Sequence, residues 1–383
     1  MNPTISNFSE EHDVFKFTLS GVNVSLANAL RRIMLNDIRT VVFRTENVEV
    51  NQCNVTINTS RLHNEILKQR LSCIPIFSEN IDELPGKYVM EVDVQNNSDH
   101  MMFITSSDFK VKNKENGNYL TEKETHRLFP PDKISGDFID FARLRPRIGD
   151  IAGEHVQLSC EFSVSNAETN SMFNVVSKCA YGFTVDTAAS AAAWTKNEAK
   201  MASEVQRTVG SSGTLEGGSG TAIAFAKRNF ELLDAQRYYV EDSFDFVMRS
   251  ACVFSCPTIV KKACAIMQRK LTTFNEAIES DIVPILATEI SGVKTTMDNC
   301  YDIILENEDY TLGKALEYYL YQTFFVERKT MNFCGFKKIH PHDSSSRIRV
   351  AFVDPVEKVQ IREHLREACT KLQEVYVEIN SKF

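Results

Sequence analysis

The chain has 383 residues, a length that at about 150 residues per domain corresponds to two or three domains. Hydrophobic residues at 43% and charged residues at 25% exclude a mostly disordered chain, and a net charge of -8 excludes a free-standing DNA or RNA binder, which is usually basic. No apolar run approaches the roughly 18 residues of a membrane span, and Met1 to Asp13, with Glu10, Glu11 and Asp13, lacks the apolar core of a secretory signal.

Phe15, Phe17 and Leu19 alternate, which predicts a half-buried strand. Ser25-Leu26-Ala27-Asn28-Ala29-Leu30 then opens a helix, with Ser25 its expected N-cap and Leu26, Leu30, Ile33 and Met34 on one face. Arg61 to Leu71 predicts a second helix, with Leu62, Ile66, Leu67 and Leu71 apolar, ended by Pro75 and a strand before Glu79. From Phe77 to about Cys160, short alternating stretches (Tyr88 to Val94, Met101 to Thr105, Val156 to Val164) are broken by Asn-Asn, Pro-Pro and Gly-Asp turns. That pattern is an inserted, mainly β subdomain. A second insertion, about Asp186 to Val240, has an Ala-rich helical stretch from Ala188 to Ala193. Gly210-Ser211-Ser212-Gly213, with Gly217, Gly218 and Gly220, follows and reads as a flexible loop or linker. Ser243 to Phe254 is the next strand, with Phe244, Phe246 and Met248 alternating. Pro257 fits position N1 of a helix carrying Val260, Ala263, Met267, Leu271, Phe274 and Ile278.

The end of the chain repeats its beginning. Tyr301, Ile303 and Leu305 alternate as a strand, and Thr311-Leu312-Gly313-Lys314-Ala315-Leu316 matches the earlier [ST]-L-x-x-A-L pattern, with Thr311 the expected N-cap. Leu312, Ala315, Leu316, Tyr319 and Leu320 share one helical face. Ile348, Val350 and Phe352 form another strand, and Asp354-Pro355 is expected to start a closing helix. Its apolar residues Ile361, Leu365, Ala368, Leu372, Val375 and Ile379 make a narrow seam of the kind that packs on a partner helix. Each copy is thus a strand, a helix, an interruption, a strand and a closing helix. The expected fold is α+β: two pseudo-symmetric modules of mixed or antiparallel sheet plus helices, meeting through matching faces, the first carrying the β insert. The boundaries are 1–76 for the first part of module one, 77–160 for the insert, 161–185 for the return, 186–240 for the second insertion, 241–282 for the closing strand and helix, and 283–383 for module two.

Motifs for chemistry are sparse. None of the ten cysteines stands in a C-x-x-C pair, and Cys252 and Cys256 have no second pair to complete a zinc site; most sit among apolar neighbours, as buried free thiols of an intracellular protein do. His63-Asn64-Glu65 matches the H-x-E half of a zinc deaminase but lacks P-C-x-x-C. The Gly-rich stretch holds no G-x-x-x-x-G-K-[ST], and His340 and His342 have no accompanying ligand set and read as a surface loop. With no G-x-S-x-G elbow and no polymerase-like D-x-D pair, no catalytic, cofactor or metal residue is assigned.

Ser25-Leu26-Ala27-Asn28-Ala29-Leu30-Arg31-Arg32-Ile33-Met34, Asn58-Thr59-Ser60-Arg61-Leu62-His63-Asn64-Glu65-Ile66-Leu67, Arg70-Leu71 and Ile74-Pro75-Ile76 resemble the larger α-like subunit of multisubunit DNA-dependent RNA polymerases. Glu308-Asp309-Tyr310-Thr311-Leu312-Gly313, Phe333-Cys334-Gly335-Phe336 and His340-Pro341 resemble the smaller one. The chain thus looks like the larger and smaller α-like subunits, separate chains in archaeal and eukaryotic enzymes, fused into one; such a fusion resembles what large DNA viruses carry. Lys314 departs from the usual Asn, and His342 and Asp343 from the usual apolar residue. Phe77 to Ser159 contains no cysteine for the metal cluster some relatives hold there, and the DNA-binding C-terminal domain of bacterial α has no counterpart before Phe383.

The resemblance implies a non-catalytic assembly platform of an RNA polymerase, with the catalytic aspartates on other subunits. Leu26, Leu30, Ile33, Leu312, Leu316, Leu320, Leu365 and Leu372 would form the intramolecular dimerisation core. Arg31, Arg32, Glu65 and Arg70 would dock the large catalytic subunits, the second-largest first, with small zinc-binding subunits as further partners. No sequence-specific DNA contact and no membrane contact is expected. The location is intracellular, in host cytoplasm and virion for a viral protein. Fusion makes the pairing intramolecular, at effective concentrations on the order of mM. A generic dimerisation scaffold outside transcription would explain the repeat but not both signature strings.

Overall fold

The computed structural model describes residues 1–209, 219–251, 253–287 and 297–383. In chain order, β1 (Thr4–Glu11) and β2 (Val14–Ser20) lead to α1 (Val24–Asn36), β3 (Thr40–Val42), β4 (Cys53–Asn58) and α2 (Asn64–Ser72). Next come β5 (Tyr88–Gln95), β6 (Met102–Thr105), β7 (Lys110–Asn113), α3 (Glu122–Leu128), β8 (Asp140–Leu144), β9 (His155–Glu161) and β10 (Ser163–Ser165). β11 (Val176–Val185), α4 (Thr187–Val209), α5 (Ser219–Leu232), β12 (Tyr239–Ser250) and α6 (Cys256–Glu279) follow. The last part is β13 (Ile285–Ala287), β14 (Cys300–Glu306), α7 (Tyr310–Leu320), β15 (Met331–Lys337), β16 (Ser345–Phe352) and α8 (Lys358–Ser381). The fold class is α+β, as the alternating patterns predict.

Two compact units group these elements. The first holds Met1–Ala29, Ala180–Val247 and Pro284–Lys382; the second holds Leu30–Cys179 and Met248–Val283. The grouping is by contact and is distinct from the modules of the repeat.

The first unit is built on two four-stranded sheets, ordered β1-β2-β12-β11 and β13-β14-β16-β15. Each runs first, second, fourth, third in chain order, so the duplication legible in short strings extends to topology. A helix follows the second and the fourth strand of each sheet. The sequence patterns missed the edge strand that opens each copy and the third strand: β13 is three residues long, and β15 carries a bulge between Met331 and Phe333 and few buried positions. β1 and β2 close over His12 and Asp13, both in the left-handed region that a two-residue hairpin turn requires. The apolar alternation is buried: Phe17 stacks on Phe246 at 4.8 Å. Opposite that layer, Thr18 donates to Asp245 at 2.7 Å and Thr184 donates to the same oxygen at 3.0 Å, joining β2, β12 and β11. In the other sheet, Ile303 opposes Ile348, and both are fully buried.

The second unit carries the insert. Its sheet has the order β4-β9-β5-β7, beside a ribbon of β6 and β8 and a β3–β10 pair. Phe109 meets Phe129 and Phe141 edge-on at 5.2 and 5.7 Å, and Leu67 and Leu71 of α2 close the same core. The insert is mainly β as expected, with α3 an addition that Thr121 and Glu124 start by reciprocal capping.

Several helix starts differ from expectation. Asn23, not Ser25, supplies the side-chain oxygen at the head of α1, accepting from the Ser25 N–H at 2.9 Å. Asp309, not Thr311, caps α7, accepting from the Thr311 N–H at 2.8 Å. In both cases the Ser or Thr lies two positions too far in to cap. α2 begins at Asn64 rather than Arg61, because Asn58 holds Ser60 N–H and the Leu62 carbonyl in a turn. α8 begins at Lys358 rather than Asp354-Pro355, with Glu357 and Gln360 as a capping box. No strand forms between Ile74 and Ser78. Pro257 does lie in the first turn of α6, behind the Ser255 cap. The Ala-rich stretch is helical within α4, and Gly220 lies in α5; Gly210 to Gly218 and Cys252 lie outside the described residues.

Candidate dimerisation core and docking face

Leu26, Leu30 and Ile33 of α1 are buried, as are Leu312, Leu316 and Leu320 of α7 and Leu365 and Leu372 of α8. The seam of α8 is buried along its whole length, from Ile361 to Ile379. Two contacts within the first unit join opposite copies of the repeat. The Tyr376 hydroxyl, fully buried on α8, donates to the Leu26 carbonyl of α1 at 3.1 Å. Near the end of α8, Lys382 donates to the Pro3 carbonyl at 2.5 Å. Across α7, burial raises the Tyr318 hydroxyl above its ordinary pKa, with the Asp242 carboxylate of β12 adding to the shift. No sequence pattern pointed to Tyr376, which lies beside the apolar seam rather than in it.

Within module two, side-chain chemistry fixes α7 on its neighbours. The Phe336 ring of β15 lies over Gly313, where a Cβ would stand 2.0 Å from the ring. That close approach is why a glycine occupies a helix interior at this point. α7 continues into a π-helical segment, Tyr321–Glu327. Arg328 after it forks onto Glu367 of α8 at 2.5 and 3.0 Å. On the sheet, the buried Asp302 carboxylate receives Arg349 at 2.6 and 2.8 Å and Arg347 at 3.1 Å. Burial works to raise Asp302, and the two guanidiniums more than offset it, leaving its pKa below the ordinary range.

The charged residues expected to dock partners all fall in the second unit. Arg31 and Arg32 are half-buried on α1, and Glu65 is exposed on α2. Arg31 lies close enough to Cys179 for its charge to pull down a thiol that burial pushes up to about 12. Arg70 is exposed yet internally engaged: it donates to the Phe141 carbonyl at 2.6 Å and the Asp140 carbonyl at 2.7 Å, bracing α2 on β8. Glu65, Lys68 and Gln69 line an open groove of 480 Å3 with Thr45, Asn51 and Met172. Among the described residues no group of three His, Cys, Asp or Glu could hold a metal ion, and no helix is long and apolar enough to cross a membrane. Seven of the nine described cysteines are buried, with Cys73 exposed and Cys334 half-buried.

Comparison with known proteins divides the chain along the repeat. The RNA polymerase Rpb3/Rpb11 dimerisation domain matches residues 16–271, more than half the chain, and a second such domain matches residues 300–382. The chain is 33% identical over 101 residues to DNA-directed RNA polymerases IV and V subunit 3B of Arabidopsis thaliana, covering 26% of this chain and 29% of that protein. It is 40% identical over 82 residues to DNA-directed RNA polymerase II subunit RPB3 of Schizosaccharomyces pombe, covering 21% and 25%. It is 42% identical over 67 residues to DNA-directed RNA polymerase subunit Rpo3 of Pyrococcus furiosus, covering 18% and 23%. The matched stretch thus spans less than a third of the length of these relatives. With one dimerisation domain at each end of the repeat, the chain belongs to the RNA polymerase Rpb3/Rpb11 dimerisation-domain family.

Proposed function

We propose that the chain is a non-catalytic assembly-platform subunit of a DNA-directed RNA polymerase, in which two α-like modules pair within one polypeptide and seat the second-largest catalytic subunit. The observation that carries this reading is the bond from Tyr376 to Leu26, a buried contact between the last helix of one copy and the first helix of the other. The eight leucine and isoleucine positions on α1, α7 and α8 form the dimerisation core. The modules keep the boundaries read from the repeat, 1–76 and 161–185 with 241–282 for the first and 283–383 for the second. The three relatives from Arabidopsis thaliana, Schizosaccharomyces pombe and Pyrococcus furiosus, each named as a polymerase subunit, support transcription as the setting. The large catalytic subunits and small zinc-binding polymerase subunits are the partners, and the nucleotide chemistry belongs to the large ones. The single-chain arrangement supports a polymerase of a large DNA virus, acting in host cytoplasm and virion.

Arg31, Arg32 and Glu65 form the docking face, and Arg70 contributes by holding α2 in place. Reversing two like charges at an interface puts like against like, which costs several kcal/mol. The double variant Arg31→Glu, Arg32→Glu is therefore expected to lose co-purification of the large subunits while its circular dichroism and melting temperature stay those of the parent. Undiminished assembly would overturn the docking role.

A further inference from the structure

Cys53 and Cys160 face each other across the β4–β9 ladder. Both are buried, and neither has a part in the proposed docking. Their rung can be typed from the backbone. Glu161 N–H donates to the Gln52 carbonyl at 3.2 Å, so the flanking residues carry the hydrogen bond and the cysteines form a non-hydrogen-bonded pair. Such pairs bring Cα atoms to about 4.5 Å, within the range of about 4.4–6.8 Å that a disulfide spans. Opposed residues also share one face of the sheet, so the two sulfurs lie side by side.

We infer that Cys53 and Cys160 constitute a reversible modification site, a dithiol that a small peroxide converts to a cross-strand disulfide. The environment fits this chemistry. The Cys160 S–H has two acceptors in reach, the Glu161 carbonyl at 3.6 Å and the Cys53 sulfur. The bond to Cys53, helped by the Lys68 ammonium, lowers the Cys53 thiol below its ordinary pKa against the effect of burial. Cys160 is shifted the other way, by the same bond and by burial. One thiol is thus the nucleophile and the other the resolving group. Access has a route. Cys53 is the first residue of β4, at the end of the ladder. Asn51 and Lys68 line the open groove, and the Asn51 side chain bonds both the N–H and the carbonyl of Cys53.

The reaction balances without a further reagent. The Cys53 thiolate attacks a peroxide oxygen; an S–O bond forms, the O–O bond breaks, and the leaving hydroxide takes up the thiol proton as water. The Cys160 sulfur then attacks the Cys53 sulfur; the S–S bond forms, the S–O bond breaks, and hydroxide leaves with the Cys160 proton. Two thiols are oxidised, and one peroxide is reduced to two waters.

The test is mass spectrometry of the full chain treated with hydrogen peroxide, alkylated and digested without reductant. The expected product is a cross-linked pair of peptides containing Cys53 and Cys160, two hydrogens lighter than their sum and released by dithiothreitol. In Cys160→Ser the cross-link is lost and Cys53 proceeds to sulfinic acid instead. The inference is overturned if Cys53 and Cys160 of the parent remain alkylatable after peroxide, or if either joins a different cysteine. Because the decisive readout is on the parent chain, a folding defect in the variant leaves the test intact.

Discussion

Replacing Tyr376 by phenylalanine removes one oxygen from the contact that joins the two copies. The ring is fully buried and stays in place, so no cavity forms. What disappears is the 3.1 Å bond to the Leu26 carbonyl, a contact spanning 350 positions of sequence. A hydrogen bond of this type contributes about 0.5–1.5 kcal/mol net. Losing it also takes a partner from a buried carbonyl, and that desolvation raises the cost toward about 2 kcal/mol. Tyr376→Ala deletes the ring as well and should cost about 3–5 kcal/mol, as buried aromatic truncations do. Urea denaturation followed by circular dichroism reads both. The account expects a lower midpoint for Tyr376→Phe with an unchanged slope, and a much lower one for Tyr376→Ala. Midpoints equal to the parent in both variants would mean that α8 and α1 do not depend on each other, and the shared core would be refuted.

Asp302→Asn should destabilise by about 3 kcal/mol at neutral pH, since it leaves two guanidiniums facing a neutral amide. Asp302 has a depressed folded-state pKa, so its contribution is present above its unfolded value of about 3.9 and is lost as pH falls through the folded value. The gap between variant and parent melting temperatures should therefore begin to narrow below about pH 4 and close once the pH has fallen through the folded value; a gap that stays constant over that range would contradict the linkage. Gly313→Ala gains about 1 kcal/mol of helix propensity. It also drives a Cβ to 2.0 Å from the Phe336 ring, and overpacking of about 1–3 kcal/mol should outweigh the gain. Adding Phe336→Ala should restore most of the loss, a coupling that a double-mutant cycle in urea measures; simple additivity would show that the ring does not decide the glycine.

The long amphipathic helices were legible because their signal is carried by many residues at once. Every apolar position read on the seams of α6 and α8 is buried. Helix starts were not legible to the residue, because a cap is a single hydrogen bond, and Asn23 and Asp309 compete for it with the Ser and Thr two positions on. The edge strands escaped because the three residues of β13 and the mostly exposed or half-buried residues of β15 carry too few apolar alternations to register. α3 escaped for the same reason, being seven residues of mostly charged sequence inside a β insert. Contacts set by tertiary register were invisible altogether. Arg70, expected from the resemblance to dock a partner, finds its acceptors on backbone carbonyls some 70 positions away, which no side-chain pattern encodes. Cys53 and Cys160 are brought together only by the pairing of β4 with β9. Arg31, Arg32 and Glu65 are proposed for docking on the family signature rather than on any periodicity of their own.

Mass spectrometry of the complex that gathers around an affinity-tagged copy of this chain addresses its role most directly. The account predicts a single copy of the chain, with both large catalytic subunits of an RNA polymerase bound to it in equal number. A preparation holding the chain by itself, or two copies paired with each other and no polymerase subunit, would contradict it.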